Sequence, residues 1–154
     1  MSLYDGTLNV VEPFEVIEAV HTLVSESENI VVSQGIESAS HVFLHRMTDP
    51  HPKKFIIVRQ ASRAGGELQS ISGREIVLVQ VEVSIHDDQG NPHKFLNAIH
   101  QRVFQAIVNQ KPAMTRNTLE LPFSREALPS PPDYDDQTKE WFSTALYYAV
   151  VKPI

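Results

Sequence analysis

The sequence predicts an α+β fold, a mostly antiparallel β-sheet with two helices packed on one face. Two segments carry apolar residues at helical spacing, and a long segment between them alternates apolar and polar residues as a half-buried strand does. An antiparallel sheet with both helices on one face is the simplest arrangement that buries both apolar stripes. The chain has 154 residues, close to the commonest domain size, so residues 1–154 are expected to form a single domain.

The first helix is predicted over residues 13–25. Pro13 fits the first turn of a helix, where its missing N–H costs no hydrogen bond. The apolar residues that follow recur at helical spacing: Phe14, Val16, Ile17, Val20, Leu23 and Val24. Runs of β-branched and apolar residues then predict strands over 29–34 and 54–60, and a weaker pattern indicates a short strand within 41–47.

A long polar connection and the clearest strand of the chain come next. Residues 61–73 contain Gly65 and Gly66 but little apolar material, and loops of this length are usually functional or mobile, so we expect a mobile loop. Over residues 74–86, one face of the predicted strand is apolar: Val77, Val79, Val81, Val83 and Ile85. The other face, after Ile76 and Leu78, becomes polar: Gln80, Glu82, Ser84 and His86. This strand should pair antiparallel with the strand over 54–60.

A turn leads into the second helix. Asn91 is the predicted N-cap and Pro92 the first helical residue, and the helix is predicted over residues 92–110. Residues 111–136 are irregular, with a short strand predicted at 119–121 and a proline-rich acidic loop near 129–137. The aromatic and β-branched residues 141–151 predict a final strand, central in the sheet because both of its faces carry apolar groups.

Composition excludes several classes of function. The formal net charge of −6 and the isoelectric point near 5.6 argue against a dedicated nucleic-acid binder, which needs a basic surface. The absence of cysteine excludes disulfides, thiolate nucleophiles and cysteine zinc sites. No apolar run of about 18 residues predicts a membrane span, and the first residues do not resemble a secretion signal.

The residues assemble no catalytic, cofactor-binding or metal site. Seven histidines are present, but none has the spacing of a ligand set. No serine within 61–73 lies in a Gly-x-Ser-x-Gly elbow, and the glycine pair there lacks the Gly-Lys-Ser/Thr of a phosphate loop. The chain is therefore expected not to be an enzyme and to need no cofactor. The alternative is a small cytoplasmic α+β enzyme, or a metal- or ligand-binding domain, with a site near His86, Asp87 and His93.

The order and pattern of these elements resemble the tail-terminator and tail-completion proteins of long-tailed bacteriophages. A strand (54–60), a glycine-bearing polar loop (61–73) and a long alternating strand (74–86) are followed by a helix (92–110) and an aromatic closing strand (141–151). The N-terminal helix also fits, so the resemblance covers most of the chain. It consists of element order and pattern, without a signature at the level of single residues.

The resemblance implies a virion structural protein that is present in the host cytoplasm during assembly and forms a homo-oligomeric ring, commonly a hexamer. Such a ring caps the tail tube at its head-proximal end and joins it to the head connector. The implied partners are therefore other copies of the chain, the tail-tube protein and the head-connector or neck proteins, with no membrane. DNA passes through such a ring without specific binding, which suits the net negative charge.

The expected contact residues lie in the long loop and on the strand after it. In the family, the long inter-strand loop and the strand edges contact neighbouring subunits or the tube, which makes residues 61–73 the candidate contact loop. The length and polar face of the following strand also suit subunits that join their sheets side by side. The predicted contacts are Arg63, Gly65, Gly66, Glu67, Gln69, Arg74, Gln80 and Glu82. A domain that regulates a partner by protein contact is a third interpretation.

Overall fold

The structure, a computed structural model, describes residues 11–32, 35–61 and 74–154. It contains there two helices and seven strands: α1 (Pro13–Ser25), β1 (Val42–Leu44), β2 (Lys54–Ala61), β3 (Glu75–His86), α2 (Pro92–Ile107), β4 (Asn117–Leu119), β5 (Ser124–Ala127), β6 (Asp133–Asp135) and β7 (Glu140–Pro153). A single 3₁₀ turn, Ala39–His41, precedes β1. The predicted α+β class is confirmed.

The strands form one mixed sheet in the order β1-β2-β3-β7-β4, with β5 and β6 also paired to β7. β1 runs parallel to β2, and the other pairings are antiparallel, including the predicted pairing of β2 with β3. β3 and β7 pair from Glu75↔Val151 to His86↔Glu140. The predicted central position of β7 is confirmed, because β3 lies along one of its edges and three short strands lie along the other.

Both helices pack on the same face of the sheet, as predicted. Glu12 caps α1 by accepting a hydrogen bond from Phe14 N (2.9 Å), and Asn91 caps α2, with its side-chain oxygen accepting from Lys94 N (3.2 Å). The apolar stripes of the helices and one face of the sheet form a single buried cluster. The five apolar residues predicted on one face of β3 all belong to it: Val77, Val79, Val81, Val83 and Ile85.

The strand predicted over residues 29–34 is not found in the part of it that the structure describes. The backbone N–H groups of Ile30 and Val31 donate to Ser27 O (3.1 and 2.9 Å), so the chain turns here. One isolated parallel bridge joins Val31 to Ile36. The prediction was wrong because a short apolar run does not distinguish a buried turn from a strand. Ile30 and Ile36 are both buried in the core, each with 0% exposure.

The second helix is shorter than predicted. It ends at Ile107 and not at residue 110, because Val108 is extended (φ −66, ψ 137) and Asn109 has φ +69. Asn109 N then donates to Phe123 O (3.1 Å), which ties the end of the helix to the segment before β5. This long-range hydrogen bond replaces a further helical turn.

The segment predicted to be irregular, 111–136, contains three short strands. β4 lies two residues before the predicted position 119–121, and β5 has no counterpart in the prediction. β6 lies inside the predicted acidic loop and pairs with the start of β7, from Asp133↔Phe142 to Asp135↔Glu140. β5 and β6 contain no buried residue, so their backbones complete the edge of β7 without leaving an apolar pattern in the sequence.

The turn before α2 requires glycine at position 90. Gly90 has φ +107, a conformation that L side chains rarely adopt, and an added Cβ would meet no atom within 4 Å, so backbone strain alone opposes a side chain. We expect Gly90→Ala to lower the free energy of unfolding by about 1–2 kcal/mol, measured by urea denaturation. Gln89→Ala, in the same turn, is the control and should change it by less than about 0.5 kcal/mol. Equal effects of the two substitutions would contradict the assignment of strain to Gly90.

Candidate functional site

The sheet face opposite the helices is the candidate contact surface, and we call it the open face. Side chains alternate between the two faces along a strand, so the neighbours of the core residues in β2, β3 and β7 point away from the helices. The open face comprises Ile57 and Arg59 of β2, Ile76, Leu78, Gln80 and Glu82 of β3, and Thr144, Leu146, Tyr148 and Val150 of β7. Within the described ranges, α1 and α2 pack on the opposite face and neither covers this one.

Apolar side chains make up most of the open face. Two of them are buried, Ile57 at 4% and Leu78 at 5% exposure, and four are half-buried: Ile76, Leu146, Tyr148 and Val150. None of the six belongs to the core cluster beneath the helices. β3 contributes its predicted polar residues, but the neighbouring strands surround them with apolar ones. An apolar sheet face that none of the described helices covers is typical of a surface that contacts protein.

Arg59 and Glu82 form an ion pair at the centre of the open face. Arg59 Nη2 donates to Glu82 Oε2 over 3.4 Å, between β2 and β3. Burial raises the pKa of Glu82, the Arg59 charge opposes that effect, and the Glu140 carboxylate adds to it. Arg59 Nε is buried and has no hydrogen-bond partner among the described residues. One long contact therefore leaves two partly buried charges incompletely compensated.

A second polar group lies where β7 begins. Glu140 is buried, and its Oε2 lies 3.2 Å from His51 Nε2, while His51 Nδ1 lies 3.1 Å from Asp49 Oδ1. The His51 ring also packs edge-on against Phe55, with 5.1 Å between ring centroids. Both ring nitrogens of His51 are engaged, so the imidazole ties residues 49–51 to the start of β7 and leaves neither nitrogen free to contact a substrate.

The alternative site near His86, Asp87 and His93 does not converge. His86 Nδ1 lies 3.3 Å from Asp87 Oδ1. His93 packs instead against Trp141, with 5.4 Å between ring centroids, and Trp141 packs against the core beneath the helices. In the described part of the chain, no group of three or more His, Asp or Glu residues could hold a metal ion. The arrangement gives the alternative no support.

His100 of α2 is buried against β7. Its Nε2 lies 2.7 Å from Ser143 Oγ, and its Nδ1 is buried without a partner among the described residues. Burial lowers the pKa of His100 to about 4, the backbone of Ser143 opposes that shift, and the charge of Arg125 adds to it. The ring is 2% exposed, so no substrate reaches this histidine–serine pair and its role is structural.

The predicted contact residues fall in three places. Residues 62–73 of the predicted loop lie outside the described residues. They include five of the predicted contacts: Arg63, Gly65, Gly66, Glu67 and Gln69. Ala61, predicted to begin the loop, is the last residue of β2. Gln80 and Glu82 lie together on the open face. Arg74 lies just before β3, about 20 Å along the strand from Gln80. Its Nε lies 3.5 Å from Glu120 Oε1.

β3 lies inside the sheet and not at its edge. β7 pairs with it along its whole length, and β2 pairs with it from Leu78 to Ile85. Gln80 and Glu82 can therefore contact another subunit only through the face of the sheet. The prediction that the polar stretch of β3 joins sheets side by side is wrong, because two neighbouring strands already occupy its backbone hydrogen bonds.

Sequence reasoning missed Arg59 and the β7 residues of the open face. Arg59 ends an apolar run and stands two residues after Ile57, so alternation placed both on one face. Leu146 and Tyr148 stand at the same spacing in β7. The signal was present in each strand separately, but the partners across strands depend on the register Arg59↔Gln80 and Gln80↔Leu146, which local periodicity does not contain.

Comparisons with known proteins assign no family. No protein-family model matches the chain, and no curated protein matches it in sequence. One solved structure, whose name states no function, resembles it over 72% of this chain and 78% of its own, with 11% sequence identity and a TM-score of 0.47. A likeness at that level carries no argument about function. Of the helices in the described residues, none is long and apolar enough to cross a membrane.

Proposed function

We propose that this chain is a structural protein that acts by contacting protein surfaces, and more specifically a ring-forming tail terminator or neck subunit of a long-tailed bacteriophage. The observation that carries the proposal is the open face. Its half-buried apolar side chains surround an ion pair that is incompletely compensated, and a protein partner would bury the first and complete the second.

The geometry of the described polar groups supports a binding protein over an enzyme. An acid, a base and a nucleophile have to converge where substrate can reach them. His51 has both ring nitrogens engaged, and His100 with Ser143 is enclosed. The cavity of about 240 Å³ near the start of β2 is lined by Glu37, His41, Lys53 and Lys54 among others, and no serine, threonine or cysteine of the described residues lines it.

The element order supports the phage assignment within this class. The strand, long connection, long strand, helix and closing strand occur in the order that the resemblance requires, apart from the additional short strands on β7. The net charge of −6 suits a ring through which DNA moves, since a basic lumen would hold the phosphates. The protein would then belong to the virion, with other copies, the tail tube and the head connector as its partners.

Assembly tests the proposal. The purified chain is mixed with the tail-tube protein encoded by the same genome and inspected by negative-stain microscopy and mass photometry. We expect closed rings, commonly of six copies, at the ends of tubes whose length they limit. Tubes that elongate equally with and without the chain, with no rings bound, would contradict the assignment. Portal, tube and tape-measure genes beside its own gene are the expected genomic context.

A further inference from the structure

We infer that the free chain forms a twofold dimer in which two copies meet open face to open face, with Arg59 and Glu82 at the centre. The occupant of the open face in this state is a second copy of the same chain. The inference goes beyond the proposed function and does not depend on it, because it is argued from the chemistry of the face alone. A twofold pair also protects an apolar surface in a chain that has not yet met other partners.

The charges of the open face are self-complementary. The chain carries a net charge of −6, yet on this face Arg59 and Glu82 balance each other. At the far end of the same strands, Glu120 lies between two cations, 3.5 Å from Arg74 and 3.2 Å from Lys152. A strongly acidic or basic partner would leave one member of each pair opposed by a like charge. A second copy presents both signs in the same arrangement.

A twofold axis beside the central ion pair completes it. The guanidinium of Arg59 has five N–H donors, and its Nε is buried without a partner among the described residues. In the pair of copies, Glu82 of each chain lies beside Arg59 of the other, and the four charges alternate around the axis. Each carboxylate then has two guanidinium neighbours, which offsets the burial that raises the pKa of Glu82.

The apolar residues around the ion pair form the body of the contact. Leu146 and Tyr148 of β7, the pairing partners of Gln80 and Leu78, are half-buried and supply exposed apolar area, whereas Ile57 and Leu78 are already buried in the single chain. Two sheets that pack face to face interdigitate such side chains across about 10 Å. Arginine and tyrosine are also enriched at the energetic centres of protein interfaces, where surrounding apolar groups exclude water.

Charge reversal with mixing tests the dimer. Wild type should have twice the chain mass of 17.3 kDa in sedimentation equilibrium. Arg59→Glu and Glu82→Arg should each raise the dimer dissociation constant at least about tenfold, because like charges then meet across the axis. An equimolar mixture of the two variants should regain dimer affinity, since an all-acidic centre meets an all-basic one. Arg102→Glu and Glu18→Arg, on the helix layer, are the matched controls and should leave wild-type affinity unchanged.

Two outcomes of the mixing experiment would overturn the inference: a wild-type chain that stays monomeric, or variants whose mixture dimerises no better than each alone. Rings on tail tubes remain observable in either case, so failure of the dimer and failure of the proposed function are distinguishable.

If a reversal variant does not fold, as judged by circular dichroism, cysteine cross-linking decides instead. The chain has no cysteine, so Gln80→Cys places a single thiol near the axis. Mild oxidation should link two copies through it and should not link Glu18→Cys. Equal linking, or none, would contradict the contact.

Discussion

Lowering the pH from 6.5 to 4 is expected to reduce the free energy of unfolding by about 3 kcal/mol through His100 alone. Burial lowers the pKa of this histidine from 6.5 to about 4 in the folded chain. The unfolded chain therefore binds more protons between these two values, and protonation favours unfolding. The contribution of His100 is complete above pH 6.5, decreases as the pH falls, and is lost below about 4.

Chemical denaturation at a series of pH values measures this effect, and a variant isolates it. His100→Gln removes the titration, so its stability should depend less on pH than that of wild type between 6.5 and 4. The control is His93→Gln, the same substitution at an exposed position of the same helix. Parallel curves for wild type and His100→Gln would show that the folded chain accommodates a charged imidazole at this position.

Glu15→Ala is expected to lower the free energy of unfolding by about 2–3 kcal/mol. The Glu15 carboxylate in α1 accepts hydrogen bonds from Thr115 N (3.1 Å), Thr115 Oγ1 (2.7 Å), Arg116 N (3.0 Å) and Asn117 N (3.1 Å). It thereby joins the first turn of α1 to the start of β4. Water can replace the acceptor at the exposed donors of Thr115 and Arg116, but the part-buried Asn117 N loses its acceptor, and a lost charge-assisted hydrogen bond is costlier than a neutral one.

The protonation of Glu15 should follow the same logic. Burial raises the pKa of its carboxyl, but the hydrogen bonds from Thr115, Arg116 and Asn117 outweigh that effect, so the pKa lies below its ordinary value of 4.5. Its contribution to stability is present above that value and is lost as the pH falls through the lowered pKa. Glu18→Ala, one turn away on the exposed side of α1, is the control and should change stability by less than about 0.5 kcal/mol in urea denaturation. Equal losses for the two variants would show that the interaction contributes nothing specific.

Local patterns predicted the parts of the fold that have strong periodicity. Alternation along β3 identified both of its faces, and Pro13 and Asn91 located the starts of the two helices. Patterns failed where few apolar residues are involved. β5 and β6 complete the edge of β7 through their backbones, and a backbone hydrogen bond leaves no mark on the side-chain sequence.

The candidate site was predicted only in part, for a related reason. Gln80 and Glu82 stood out as polar residues of a long strand, and both lie on the open face. Local patterns did not identify Arg59, Leu146 and Tyr148, because strand pairing alone brings these residues next to the polar residues of β3. The five loop residues from Arg63 to Gln69 lie outside the described part of the chain, so their expected contacts stay predictions.

By itself, the sequence determined the α+β class, the amphipathic helices and the two faces of β3, because each depends on residues within a few positions of one another. The tertiary structure decided which face of the sheet the described helices cover, that β3 lies inside the sheet, and which polar groups meet. Glu15 and Thr115 are 100 residues apart, and His100 and Ser143 are 43 apart. Periodicity reports which side of an element avoids water, but only the packed chain determines what each side meets and how its charges are compensated.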